Sequence, residues 1–168
     1  MIASKVHALV LCGGAGERMR PWTDLRPKPL FGLGDGVGTL FSRHLEAALD
    51  AGAREPIHAN VPSEWAGAFR DEARRAGIRV RLWPEAGVPH GSATSAGRVA
   101  RVMRPDDYLL LIYADTWHED GMCSRVVEFV LDGHFDARLG VAAVPAGERP
   151  RGIVCMKKGR VISVRERP

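Results

Sequence analysis

The chain has 168 residues, 45% hydrophobic and 26% charged, with a formal net charge of +4. That is ordinary globular composition, enough for a single domain over residues 1–168 with a sizeable core. There is no run of eighteen apolar residues, so the sequence offers no transmembrane helix.

Apolar runs alternate with helical patterns along the chain. Lys5–Cys12 reads as a buried strand, and a Gly-rich turn follows at Gly13, Gly14 and Gly16. Thr39–Ala51 carries Leu40, Phe41, Leu45, Ala48 and Leu49 at helical spacing, with Gly52 as a stop. Pro56–Asn60 is a short strand. Ser63 can cap a helix bearing Trp65, Phe69 and Ala73, ended by Gly77. Ile78–Trp83 alternates like a strand, and Ser92–Met103 reads as a helix. Tyr108–Tyr113 is a solidly apolar strand, Gly121–Leu131 is helical, and Leu139–Val144 is a strand. Ile153–Met156 and Val161–Val164 predict a hairpin around Lys158-Gly159. No repeat, low-complexity tract or linker divides the chain.

Strand and helix in repeated alternation predict an α/β fold, Rossmann-like, with three αβα layers and a mainly parallel sheet. Ligands in such sheets bind outside the carboxyl ends of the strands. The Gly-rich turn ends the first strand and Asp115 lies just past Tyr108–Tyr113, so the two are expected in one cleft.

The pI is about 9.3, and twenty of the twenty-four basic residues are arginine. The arginines are scattered, which favours a solvated basic surface or a site for phosphorylated small molecules over a nucleic-acid groove. Cys12, Cys123 and Cys155 form no C-x-x-C pair. That argues against a disulfide framework or a zinc ribbon and fits a reducing, cytoplasmic setting without a membrane partner. The N-terminus shows no signal-peptide cleavage pattern.

The chemistry concentrates in Leu9–Leu33. Glycines let the backbone come close to a bulky anion, and Arg18 and Lys28 can neutralise it. The turn is not a dinucleotide fingerprint, because Met19 stands where G-x-G-x-x-G needs its third glycine. Nor is it a Walker A loop, because Gly16-Glu17-Arg18 stands in place of G-K-(S/T). An oxidoreductase is further disfavoured because no acidic residue closes Pro56–Asn60. What remains is G-G-x-G-x-R, followed by Pro27-Lys28-Pro29.

This segment, Gly13-Gly14-Ala15-Gly16-Glu17-Arg18-Met19-Arg20-Pro21 through Pro27-Lys28-Pro29-Leu30, resembles the opening of the sugar-1-phosphate nucleotidyltransferases. Their pattern runs G-G-x-G-(S/T)-R-L-x-P-L-T and then P-K-P; the chain departs from it at Glu17 and Trp22. The resemblance extends over nearly the whole chain. Gly91-Ser92-Ala93 is similar to a G-T-A segment lying against the nucleoside, and Ala114-Asp115-Thr116 to a G-D-x segment whose Asp holds Mg2+. Gly152 is similar to a glycine beside the sugar, and Glu166-Arg167-Pro168 to the E-K-P that contacts the sugar and its phosphate.

The resemblance implies an enzyme joining an NTP to a sugar-1-phosphate, or a similar phosphorylated polyol, with release of pyrophosphate. It implies catalytic roles for Arg18, Lys28 and Asp115, with Asp115 also the Mg2+ ligand. It implies nucleotide binding by Leu11, Gly13, Gly14, Ala15, Gly16, Glu85, Gly91 and Ser92, and sugar-phosphate binding by Gly152, Glu166 and Arg167. Two anions must meet, so positioning and charge neutralisation carry the catalysis. Proline on both sides restricts the backbone that aims Lys28. Glu85 could accept from the two adjacent N–H donors of a guanine edge, which makes GTP the preferred nucleotide.

Plainer readings stand beside these. Asp115 could cap its turn, Lys28 could be a solvated lysine, and Glu166 and Arg167 could be an ordinary polar chain end. Cys12 reads as a small buried residue, and His90, His118 and His134 as surface or loop residues. Arg70-Asp71-Glu72-Ala73-Arg74-Arg75 reads as the wet face of a helix. The family's domain usually continues past E-K-P to a second metal carboxylate, for which this chain has no matching position. A regulatory relative that binds nucleotide or sugar phosphate without turnover is therefore the alternative function. A partner copy covering a sheet edge, giving a homodimer, completes the expectations.

Overall fold

A computed structural model describes residues 5–14, 16–34, 36–86, 91–131 and 152–166. The expected strand Leu139–Val144, and Ala15, His90, His134 and Arg167, lie outside the described residues. The chain divides into two compact units, Met1–Gly133 and His134–Pro168.

In the first unit, β1 (Val6–Leu11), β2 (Ile57–Pro62), β3 (Val80–Glu85) and β4 (Tyr108–Tyr113) form one sheet in the order β3-β2-β1-β4. Every pairing is parallel. The order reverses between β1 and β4, and such a switch point opens a crevice at the carboxyl ends of the strands. β1 is buried along its whole length, as a strand apolar but for His7 should be in a two-sided sheet.

Alternation along β1 sends its side chains to two separate cores. Val6, Ala8 and Val10 join Phe41, Leu45, Phe69 and Val127, from α2 (Leu40–Asp50), α3 (Ala66–Arg75) and α5 (Met122–Leu131). Leu9 and Leu11 meet Val99 of α4 (Ser92–Ala100) in the other. The Phe41 and Phe69 rings pack edge to face, 4.9 Å apart, and lock α2 to α3. Helices thus lie on both faces of a parallel sheet, the α/β class read from the alternation of elements.

Thr39 starts α2 with a reciprocal cap. Its hydroxyl accepts from the Ser42 amide at 3.1 Å, and its own amide donates to Ser42 Oγ at 2.9 Å. Two local expectations need correction. Ser63 does not cap α3; it opens a 3₁₀ turn, Ser63–Trp65, that leads into the helix. The charged run on α3 is not all wet, for Glu72 is buried, accepts from Thr39 Oγ1 at 2.9 Å and pairs with Arg75 at 2.8 Å. Its helical position turns it toward the cap of α2, where a carboxylate satisfies a buried hydroxyl.

The second unit contains a two-stranded antiparallel hairpin, β5 (Gly152–Lys157) and β6 (Arg160–Glu166). Its turn is Lys158-Gly159, at φ 50° and 73°; a two-residue hairpin turn of this hand needs positive φ at both positions. Among the described residues no helix is long and apolar enough to cross a membrane.

Candidate active site

The carboxyl ends of the four parallel strands gather the candidate residues. Leu11, Cys12, Gly13, Gly14, Lys28, Pro29, Asn60, Glu85, Gly91, Ser92, Tyr113 and Asp115 line one cleft of about 310 Å³. Segments distant in sequence converge here because each follows, or packs against, the end of a strand. Eight of the expected nucleotide and catalytic positions stand together: Leu11, Gly13, Gly14, Lys28, Glu85, Gly91, Ser92 and Asp115.

A second cleft, of about 260 Å³, shares Gly13, Gly14, Lys28 and Glu85 and extends past Gly16, Thr23 and Pro27 to Pro62, Glu64 and Trp65. Gly16 is placed here. Its φ of 62° lies in the left-handed region, and Thr23 Oγ1 donates to its carbonyl at 2.9 Å. Thr23 belongs to α1 (Trp22–Leu25) and so ties the turn to the helix that follows it. Arg18 is exposed on the 3₁₀ turn Glu17–Met19 and stands outside the lining of both clefts.

Lys28 opens a 3₁₀ turn, Lys28–Leu30, in which Pro29 and Leu30 are buried. The prolines and the buried Leu30 anchor the backbone while Lys28 remains at the cleft. Asp115 is exposed in the turn after β4. The loop beyond it is fastened to α2. Arg43 lies over the Trp117 ring at 4.2 Å and pairs with Asp120, and the His44 and His118 rings are 5.1 Å apart. Burial, then the charges of His118 and Arg43, lower the His44 pKa to about 4. His118, read as a surface or loop residue, is in that loop but half-buried against His44.

Glu85 is in the cleft lining but is 6% exposed, and both carboxylate oxygens already meet donors. Oε1 accepts from Ser95 Oγ at 2.8 Å and lies 3.6 Å from the Arg98 guanidinium; Oε2 accepts from Asn60 Nδ2 at 3.3 Å. This occupied carboxylate weighs against a guanine reader, since a base edge would compete with three intramolecular donors. Cys12 is buried, as expected of a small residue there, and burial pushes its thiol pKa up, away from a thiolate. Gly91 is the N-cap of α4 and Ser92 its first residue, so the unpaired amides of that first turn adjoin the cleft.

Gly152 and Glu166 are register partners in the hairpin of the second unit. Asn60, Ser95 and Arg98 were not singled out in the sequence. Nothing local marks them, because each acts through a partner on another strand or helix.

Among the described residues no three His, Cys, Asp or Glu gather as a ready-made metal cage. The donor present nevertheless suits Mg2+. Asp115 is an exposed hard carboxylate beside a cleft open to water, and Mg2+ is commonly held by one or two carboxylates with substrate phosphates and water.

A profile of the family described as "Nucleotidyl transferase" matches residues 7–168. The chain belongs to this nucleotidyl transferase family. Its motif, from Gly13 through Lys28 to Asp115, is thereby set in a nucleotidyl transferase fold. One similar relative is the N-acetylmuramate alpha-1-phosphate uridylyltransferase of Neisseria meningitidis serogroup B, 33% identical over 103 residues. That match covers 58% of this chain and 41% of the relative, so the chain spans under half of the curated relative it matches. A solved structure assigned as a glucose-1-phosphate thymidylyltransferase from Bacillus anthracis, in complex with sucrose, superposes with a TM-score of 0.80 at 18% identity. It covers 97% of this chain and 65% of that one. A UDP-glucose pyrophosphorylase complexed with UDP-glucose gives a TM-score of 0.55 at 14% identity, covering 77% and 54%. At these identities the structures speak for the shared fold.

Proposed function

We propose that this nucleotidyl transferase joins an NTP to a sugar-1-phosphate, or to a similar phosphorylated polyol, releasing pyrophosphate. The observation that carries the reading is the meeting of Gly13, Gly14, Lys28 and Asp115 on one cleft at the sheet's switch point. The relative that uridylylates a sugar α-1-phosphate supports the same substrate class.

In this reading a phosphate oxygen of the acceptor attacks the α-phosphorus of the NTP in line. A new P–O bond forms, the bond to the β-phosphate oxygen breaks, and pyrophosphate leaves with its electron pair. The acceptor is already an anion, so no side chain need remove a proton. The work left to the protein is holding charge against charge. Backbone N–H groups at Gly13 and Gly14 hold the triphosphate, and the first turn of α4 at Gly91 and Ser92 adds unpaired amides. Lys28 sits between the donor and acceptor phosphates. Arg18, at the outer side of the same turn, meets the departing pyrophosphate.

Asp115 would hold Mg2+ together with phosphate oxygens and water. Bound there, the ion would neutralise phosphate charge and so ease the approach of the acceptor.

The test is pyrophosphate release with Mg2+, each of the four common NTPs and a panel of sugar-1-phosphates. Release that requires both an NTP and an acceptor is expected, and it identifies base and sugar together. Nucleotide binding without release under every combination would instead assign a binding role to the cleft.

A further inference from the structure

A buried polar relay runs beneath the Gly-rich turn. Asn60 is 5% exposed and Ser95 2%. The Asn60 side-chain oxygen accepts from the Cys12 amide at 2.9 Å, an amide it shares with the Asn60 backbone carbonyl at 3.1 Å. Its amide nitrogen donates to Glu85 Oε2 at 3.3 Å, and Glu85 Oε1 accepts from Ser95 Oγ at 2.8 Å. Only one orientation of the Asn60 amide satisfies both neighbours, since one is a donor and the other an acceptor. The relay joins the end of β1, β2, the last residue of β3, and α4.

Gly13 rests directly on this relay. A Cβ there would come within 2.9 Å of Asn60 Nδ2 and 3.4 Å of Glu85 Oε2. Asn60 therefore sets both the direction of the Cys12 amide and the height at which the next residue crosses the sheet end. Through Glu85 and Ser95 it also fixes α4, whose N-cap Gly91 and first residue Ser92 line the same cleft. An apolar side chain of similar size would fill the space but leave the Cys12 amide only the Asn60 backbone carbonyl and Glu85 short of a donor.

We infer that Asn60 is a positioning residue for nucleotide binding, acting through Glu85 and Ser95 to hold the Gly13–Gly14 turn and the start of α4 as two fixed walls of one cleft. This rests on the cleft being an NTP site, as proposed above.

The experiment compares wild type with Asn60→Ala, Asn60→Asp and Ser95→Ala. It reads NTP binding by calorimetry and pyrophosphate release by steady-state kinetics, using the NTP that wild type prefers. Asn60→Ala should weaken NTP binding and raise its KM about tenfold or more, while kcat falls less. Asn60→Asp places a carboxyl beside Glu85, and the pair must share a proton. Relative to wild type at the same pH, its NTP affinity should therefore be low near about pH 8 and recover toward about pH 6. Ser95→Ala leaves Asn60 and Arg98 on Glu85, so it should fold and show a smaller rise in KM; it carries the test if the Asn60 variants do not fold.

Unchanged NTP affinity in Asn60→Ala or, should that variant not fold, in Ser95→Ala would overturn the positioning role, as would an Asn60→Asp profile that superimposes on wild type. Wild type that binds NTP but releases no pyrophosphate would overturn the catalytic reading alone, and the binding measurements would still decide the role of Asn60. Wild type that binds no NTP would overturn both.

Discussion

Thr23 Oγ1 donates to the Gly16 carbonyl at 2.9 Å, and its methyl group stands where a side chain at Gly16 would go. A Cβ at Gly16 would lie 2.7 Å from Thr23 Cγ2, at a φ of 62° that L residues rarely adopt. Gly16→Ala should therefore cost about 1–3 kcal/mol and loosen the turn. Thr23→Val keeps the shape and loses only the hydrogen bond, at about 1 kcal/mol. Thermal unfolding and the NTP KM, measured on both, should rank Gly16→Ala as the more damaging; the reverse order would mean that Thr23 does not pack against the turn.

Lys28 is the cation the cleft offers where two phosphates would meet. Lys28→Ala should lower kcat by about 10²–10³ and change the NTP KM much less, because its charge counts most in the transition state. Arg18→Ala, removing an exposed side chain outside the cleft lining, should lower kcat less. A loss confined to KM in Lys28→Ala would make Lys28 an NTP anchor only.

Asp115 is exposed, and its contact with Thr116 is long, at 3.5 Å. Asp115→Asn should leave the melting temperature within a few degrees, an effect of about ±0.5 kcal/mol. It should nevertheless abolish most of the Mg2+-dependent release. Chelation of wild type should give the same loss, restored by added Mg2+. Full activity of Asp115→Asn at ordinary Mg2+ would remove Asp115 from the metal site.

Two buried histidines set an acid limit. Burial is the largest cause for both: with His118 and Arg43 it lowers His44 to about 4, and with His7, Arg81 and Arg54 it lowers His58 to about 4. Their unfolded pKa is about 6.5. Between these values the unfolded chain binds more protons, so stability rises with pH. The contribution is present above about pH 6.5 and is lost as pH falls toward about 4, on the order of 1–3 kcal/mol for each histidine. Asp107 adds to the loss only further down. Hydrogen bonds from the Arg104 amide first, then from the Lys5 amide and His7, lower its pKa to about 2, so its contribution fades as pH falls below the usual carboxylate range. Melting curves at steps from pH 7.5 to 4 should fall below about pH 6.5, and His44→Asn or His58→Asn should flatten that fall. A flat wild-type profile would show that the histidines can be protonated while folded.

Much of the fold was legible because its signals are local. Tyr108–Tyr113 is β4 with the same bounds, since an unbroken apolar run between turns has few other readings. The helical spacing over Thr39–Ala51 is α2, Leu40–Asp50, with Thr39 as its N-cap. Pro56–Asn60 is shorter than the strand: β2 runs Ile57–Pro62, because pairing with β3 continues through the fully buried Val61 to Pro62. Glu72 was misread as solvated because its neighbours in sequence are charged, whereas its neighbours in space are a capping hydroxyl and an arginine.

The sequence by itself determined the family motif, the order of the main strands and helices among the described residues, and the residue types that can meet phosphate. Glycine freedom, proline restraint and fixed charge are properties of a few neighbouring residues. Only the tertiary structure decided which of them share a cleft and which serve each other. It brought Lys28 and Asp115 to one wall-to-wall space and left Arg18 outside the lining. It turned Glu85 from a free acceptor into the centre of a relay with Asn60, Ser95 and Arg98. Hydrogen-bond partners supplied by other strands and helices have no signature in the local sequence, because strand order and register choose them.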